Sequence, residues 1–359
     1  MNRRSFFGTL GAAALARPLA SAPKTFPLGL NTYCLRSLNW HDRKLLDYAA
    51  GLKLDAVFLQ DSKDPETMNP AHWKTVRDWS RELGLHLETG GGAVLPKTPG
   101  QFKDMVQTLG THIRRAAAMG SPLVRCLVAS DRASLPPGPA EQHMETMVRL
   151  LKEIKPQVVD AGLKLAIEVH KDFQAWEHKQ VIEAAGTDFV GVYMDTGNPV
   201  FVHEHPLTTL ETLGPYVLTL HLRDSVVYEH PKGVAVQWVP LGEGTVDFKQ
   251  IIATASRLCP NVHVYIKPIT GRPPAILPIY DENYWKSYPK ARASDMARFL
   301  ALAKSGRPYE GHVVIEDLQN RPIPPQFLQA VQFQQQEHME RSVEYAKKTL
   351  GLGVRWQKG

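Results

Sequence analysis

The chain has 359 residues, 43% hydrophobic and 22% charged, a balance that fits one large globular domain or two ordinary ones. Its formal charge of +6 falls to +3 when Arg3, Arg4 and Arg17 are set aside with an N-terminal signal, too little to mark a nucleic-acid partner. No apolar run reaches the ~18 residues of a membrane span, and Cys34, Cys126 and Cys259 are too few and too widely spaced for a disulfide framework or a zinc ribbon.

Residues 1–22, MNRRSFFGTLGAAALARPLASA, combine a twin arginine, a Phe pair, a short Ala/Gly/Leu run and an A-x-A-like end. The pattern predicts twin-arginine export and a periplasmic protein, although Pro23 fits poorly after the cut. From residue 23 onward, short β-rich runs alternate with helical patterns. The runs are FPLGLNT (26–32), LDAVFLQ (54–60), LHLETG (85–90), PLVRCLV (122–128), LKLAIEV (163–169), FVGVYMD (189–195), YVLTLHL in the 217–223 region, and VHVYIK (262–267). Eight strands with intervening helices predict an α/β (β/α)8 TIM barrel over residues 23–305, with residues 306–359 as a helical extension packed on it. The phrases AAGLKLD, RELGLHL, AAMGSPLV and DAGLKLAIE each set a Gly between helix and strand, where a left-handed residue ends the helix cheaply. After strand 8 the long PITGRPPAILPIYDENYWKSYPKA loop lies at the C-terminal mouth, where such barrels keep their chemistry.

The ends of strands 5, 6 and 7 carry Glu168, Asp195 and His221, spaced 27 and 26 residues apart. Two carboxylates and an imidazole converging on one mouth form a divalent-metal site suited to Mn²⁺, Mg²⁺, Co²⁺ or Zn²⁺. Singly, each has a plainer reading, as an ion-pair partner or a core histidine. Further mouth candidates are Glu88, with His86 on the same strand face, and Lys171 and Trp176 after strand 5. Trp176 and the Tyr280/Tyr284/Trp285 group either stack on sugar faces or anchor their loops. The GGG at 90–92 allows a tight turn or a close substrate approach and carries no nucleotide signature.

Taken together, AIEVHKDF, VGVYMDTGN, LTLHLRD and PLGEGTVDF resemble the sugar phosphate isomerase/epimerase superfamily, the xylose isomerase-like TIM barrels that include ketose 3-epimerases and inosose-processing enzymes. The resemblance spans about residues 26 to 305. It implies Glu168 as metal ligand and acid/base, Asp195 and His221 as ligands, His170 and Asn198 as neighbouring or substrate-contacting groups, and Arg223 as a clamp for a substrate oxygen. The departure is Lys267, which stands before Pro268 where the family's strand 8 normally brings a second Glu. An ammonium cannot ligate a cation. Lys267 is therefore read as a catalytic acid/base or enolate clamp, as an internal ion pair replacing the cation beside Glu168 or Asp195, or as a register error with Glu316 supplying the carboxylate.

The leading expectation is an exported isomerase, epimerase or lyase acting on a small sugar, keto-sugar or cyclitol, with a metal assisting proton transfer α to a carbonyl. The alternative is a metal-free periplasmic carbohydrate-binding or accessory protein. A metal-dependent nuclease is disfavoured by the modest charge, and a homo-oligomer stays open.

Overall fold

The computed structural model describes residues 25–60, 63–310, 315–316 and 322–358, so the export pattern of residues 1–22 lies outside the described residues. Runs with Val, Ile or Leu form β1 (Leu28–Asn31), β2 (Ala56–Leu59), β4 (Leu123–Leu127), β5 (Lys164–Glu168), β6 (Val190–Asp195) and β7 (Val217–Leu222), and the glycine-rich HLETGGGA forms β3 (His86–Ala93). The chain then adds β8 (Asp224–His230), β9 (Gly233–Val239), β10 (Val264–Ile266) and β11 (Ala275–Leu277). Strands β1 to β7 and β10 close into an eight-stranded parallel barrel, β10 pairing with both β7 and β1. Closure leaves the barrel without a free edge. It also needs close approach at Gly29, where a Cβ would lie 2.6 Å from the Ala56 carbonyl and 2.7 Å from the Tyr265 ring.

The helices are α1 (Asp42–Gly51), α2 (Pro70–Glu82), α3 (Phe102–Met119), α4 (Ala140–Asp160), α5 (Ala175–Ala185), α6 (Pro206–Leu213), α7 (Phe248–Leu258), α8 (Ala293–Ser305) and α9 (Pro325–Lys348). Three of the four glycine turns read from sequence adopt left-handed φ, at Gly84, Gly120 and Gly162. In the first, AAGLKLD, Gly51 remains in α1 and Lys53 takes the positive φ of 50° instead.

Two elements depart from a minimal barrel. Strands β8, β9 and β11 form a separate antiparallel sheet, with Asp224–His230 running back along Gly233–Val239. The long loop after strand 8 is thus partly a strand, since Ala275–Leu277 pairs with Val234–Val236. Helix α8 packs on this small sheet, its Phe299 and Ala303 clustering with Val227, Val234, Val236 and Leu277. By contrast α9 packs on the barrel itself, contributing Met339, Val343 and Ala346 to the main core. Its polar side chains also tie down the segment after β1: Gln335 Oε1 accepts from the Ser37 N–H at 2.9 Å. The three cysteines are buried and unpaired. Among the described residues, no helix is long and apolar enough to cross a membrane.

Candidate active site

Side chains alternate along a strand, so residues two apart share a face. Three barrel strands therefore send pairs inward: Tyr193 and Asp195 from β6, His221 and Arg223 at the end of β7, and Tyr265 and Lys267 at the end of β10. The lower member of each pair is a ring. His221 lies stacked between Tyr193 (centroids 3.7 Å apart) and Tyr265 (4.7 Å), with Phe58 edge-on at 5.0 Å. The upper member of each pair is a charge.

Those charges form a buried chain of alternating sign. Arg125 donates to Glu168 Oε2, Lys267 Nζ lies 2.9 Å from Glu168 Oε1 and 3.0 Å from Asp195 Oδ2, and Arg223 Nη2 lies 2.8 Å from the same Asp195 oxygen. Neither cation is hydrogen-bond-aligned to Asp195 Oδ2, so that end is held mainly by charge. The other Asp195 oxygen accepts from the Gly197 N–H at 2.9 Å. Gly197 also makes room for Arg223, whose side chain a Cβ there would meet at 2.6 Å. Asn198 accepts from Arg223 Nη1 at 3.1 Å and donates to the Val169 carbonyl at 3.0 Å.

Burial alone would raise the Glu168 pKa, but the Arg125 and Lys267 charges outweigh it and hold the carboxyl well below its ordinary 4.5. Burial, reinforced by the Lys267 charge, keeps His221 neutral, its pKa well below 6.5. His170 is likewise pushed down to about 3, by burial first. Removing so many ions from water is costly, and such pairs are weak evidence of a stability role. A cluster of perturbed groups beside a cavity is instead a pointer to function.

The cavity above this network holds about 650 Å³. Glu168, His170, Lys171, Arg223 and Lys267 line it, so the structure brings five of the sequence-predicted residues together. Others fall elsewhere. Asp195 and Asn198 are fully buried beneath the wall, where Asn198 orients Arg223 and is not a lining residue. Glu88 lies inside the barrel, its Oε1 3.3 Å from His86 Nε2, because His86 opens β3 at the end opposite the mouth. Trp176 sits in the first turn of α5, bonded to Gln174, and does not line the cavity. Glu316 is exposed, which removes it as the missing carboxylate.

The three-ligand metal site expected of Glu168, Asp195 and His221 does not fit this arrangement. Lys267 stands between the two carboxylates, Arg125 takes the other Glu168 oxygen, Arg223 shares the Asp195 oxygen with Lys267 while the Gly197 N–H holds the other, and His221 is clamped among aromatic rings with Nε2 facing Thr219 Oγ1 at 3.3 Å. A divalent ion would need to displace an ammonium from the same oxygens. Among the described residues, ligand atoms do converge in two other places, His86/Glu88/His263 and Asp42/Asp64/His72. In the first, the imidazoles stack in parallel 3.8 Å apart, so their lone pairs run side by side and one ring must turn to share an ion.

Several cavity residues escaped sequence reasoning. Arg125 had the same signal as Lys267, a charge inside a buried strand, in PLVRCLV. Trp238 and Arg272 had none, since the small sheet and its loop bring them to the mouth.

A family model described as Xylose isomerase-like TIM barrel matches residues 46–258. The 3-oxo-isoapionate decarboxylase of Pectobacterium atrosepticum is 24% identical over 191 residues, 53% of this chain. The matches to two curated relatives span only 28% and 63% of those proteins' lengths. A D-psicose 3-epimerase crystallised with D-fructose superposes with a TM-score of 0.56 at 16% identity, covering 77% of this chain and 97% of its own. The IolI protein with a bound zinc atom superposes with a TM-score of 0.55 at 12% identity, covering 76% and 99%. At these identities the structural likeness establishes the fold.

Proposed function

This chain belongs to the xylose isomerase-like TIM-barrel family, and from that premise we propose an enzyme that moves a proton α to the carbonyl of a small sugar, keto-sugar or cyclitol, with Lys267 serving as the charge that steadies the enolate. The observation that carries this reading is the Lys267 ammonium held 2.9 Å from Glu168 and 3.0 Å from Asp195 at the floor of the cavity. Glu168 takes the α-proton, the C–H electrons form the C=C bond, and the carbonyl π electrons move to oxygen beside Lys267 and Arg125. A substrate oxygen that engages these cations loosens their hold on Glu168, so its basicity rises when it is needed. Return of the proton to the opposite face gives epimerisation; departure of a β-oxygen substituent gives elimination. Relatives named as an epimerase and a 3-oxo acid decarboxylase support a chemistry in which charge develops next to a carbonyl.

The test is purified protein with its metal content measured, incubated with ketoses in D2O, with and without chelator. Deuterium incorporation at the α-carbon by metal-free protein, lost in Lys267→Met, supports the reading. Exchange that requires added metal would sink it. One observation favours a second reading, a metal-free carbohydrate-binding protein: every carboxylate of the network is already ion-paired. Saturable sugar binding without exchange would select it. We also propose export through the twin-arginine route, on the pattern in residues 1–22. Periplasmic fractionation, with Arg3 and Arg4 replaced by Lys as control, tests that part.

A further inference from the structure

We propose a zinc site at the end of the barrel opposite the mouth, in which His86, Glu88 and His263 hold one divalent ion. It is independent of the proton-transfer centre and of the function read from that centre. Each of the three residues offers one ligand atom, and these atoms lie within 4.8 Å of one another. His86 opens β3 and Glu88 follows two residues later on the same face, while His263 immediately precedes β10. Strands β3 and β10 are not neighbours, since β2 and β1 lie between them in the barrel. An ion held by both therefore ties the barrel across its lower opening, joining strands that no ladder hydrogen bond connects.

The surroundings of Glu88 call for a cation. Its side chain is 1% exposed, and a buried charge is paired or coordinates a metal. Among the described residues its ion-pair contact is the 3.3 Å approach to His86, with no lysine or arginine nitrogen in reach. Its other oxygen, Oε2, is buried without a well-aligned hydrogen bond. The buried Tyr265 hydroxyl also lacks one, although it lies close enough to feel the Glu88 charge. Buried polar atoms left this way mark a place where a partner belongs. Asp55, the other acid near His263, shows the contrast: its oxygens accept from the N–H groups of Leu28, Val354 and Arg355, each at 2.8 Å.

The donor set suits zinc. Two imidazoles and a carboxylate are ligands that Zn²⁺ takes at bonds of about 2.0–2.2 Å, with water in the fourth position. The 3.3 Å between His86 Nε2 and Glu88 Oε1 is long for a hydrogen bond and close to the ligand–ligand edge of a zinc tetrahedron. The two imidazoles lie parallel with centroids 3.8 Å apart. A turn of the His263 ring about its Cβ–Cγ bond, a torsion with broad and shallow wells, brings its nitrogen round to the ion. Both rings are half-buried, which leaves the ion a way in. A metal at this end serves the stability of the fold, since such barrels keep their chemistry at the opposite face.

The test takes the full chain without a His-tag, stripped with chelator and dialysed, titrates it calorimetrically with zinc chloride, and melts it with and without the metal. The expected result is one zinc per chain with a Kd of about 1 µM or tighter, and a melting temperature that climbs with zinc concentration. His86→Phe and His263→Phe each keep a ring of similar size, and each should weaken zinc binding about a hundredfold or more and abolish the zinc-dependent rise. Asp42→Asn, which removes a ligand from the second cluster, should bind zinc as the wild type does. Melting curves recorded without zinc show that the variants fold, and His86 at the half-exposed rim gives a second variant should His263→Phe fail to fold. No zinc uptake at about 100 µM would leave a plain imidazole–carboxylate pair and overturn the inference. Uptake that survives both histidine variants, or that falls with Asp42→Asn instead, would place the ion elsewhere and overturn it as well.

Discussion

Two layers of one barrel interior, two residues apart along the same strands, behave as opposites. The lower layer, Phe58, Tyr193, His221 and Tyr265, is uncharged and ring-packed; the upper, Arg125, Glu168, Lys267, Asp195 and Arg223, is an unbroken run of charges. The lower layer excludes water and lowers the local dielectric, which strengthens every interaction above it. Charge chemistry at this mouth therefore depends on a floor that does none itself. His221, expected among the charges as a ligand, belongs to the floor.

The sharpest way to break the comparison is Lys267→Met, which keeps the volume and removes the central positive charge. Glu168 and Asp195 then repel each other in a buried site, and urea denaturation should show a loss of about 3–5 kcal/mol together with loss of α-proton exchange. A loss under about 1 kcal/mol would mean that the upper layer is not held as a charge network.

Acid titration separates the layers next. The His221 pKa is depressed in the folded state, so it contributes stability that is present above its ordinary 6.5 and lost as pH falls toward the lowered value. The Glu168 pKa is also depressed, and its contribution is present above 4.5 and lost as pH falls through its own lowered value. The difference in unfolding free energy between wild type and His221→Phe should therefore slope between pH 6.5 and 4.5, at up to about 1.4 kcal/mol per pH unit. Lys267→Met should change the slope both above and below pH 4.5, because the Lys267 charge helps to depress the pKa of His221 as well as that of Glu168. A His221→Phe difference that stays flat between pH 6.5 and 4.5 would contradict the two-layer assignment.

At neutral pH, His221→Phe should be mild, since a ring replaces a ring, costing about 1 kcal/mol or less and sparing exchange activity. Abolished activity would return His221 to the chemistry. Smallest of all, chelation should leave exchange activity unchanged. A loss of exchange on chelation would place an ion where Lys267 now stands.

Much of this was readable from the chain. Alternation of Val- and Ile-rich runs with helical segments specified eight strands, because the side-chain period is local and parallel strands need crossovers. Glu168, Asp195, Arg223 and Lys267 were recognisable at strand ends. The antiparallel sheet was missed although SVVYEHPKGVAVQWV reads as two β-rich arms around a PKG turn, a hairpin embedded where the barrel pattern suggested only loop. Arg125 went unnoticed within a strand whose apolar neighbours dominated the reading.

The sequence by itself determined the barrel, the register of most of its turns, and the presence of a lysine where an acid was expected, since each depends on local periodicity or a single residue's chemistry. The tertiary structure decided what the lysine does. Its bridge joins carboxylates 99 and 72 residues away, and the demotion of His221 to an aromatic floor depends on rings from three other strands. Contacts of that range follow from barrel closure and strand stagger, which no local pattern encodes.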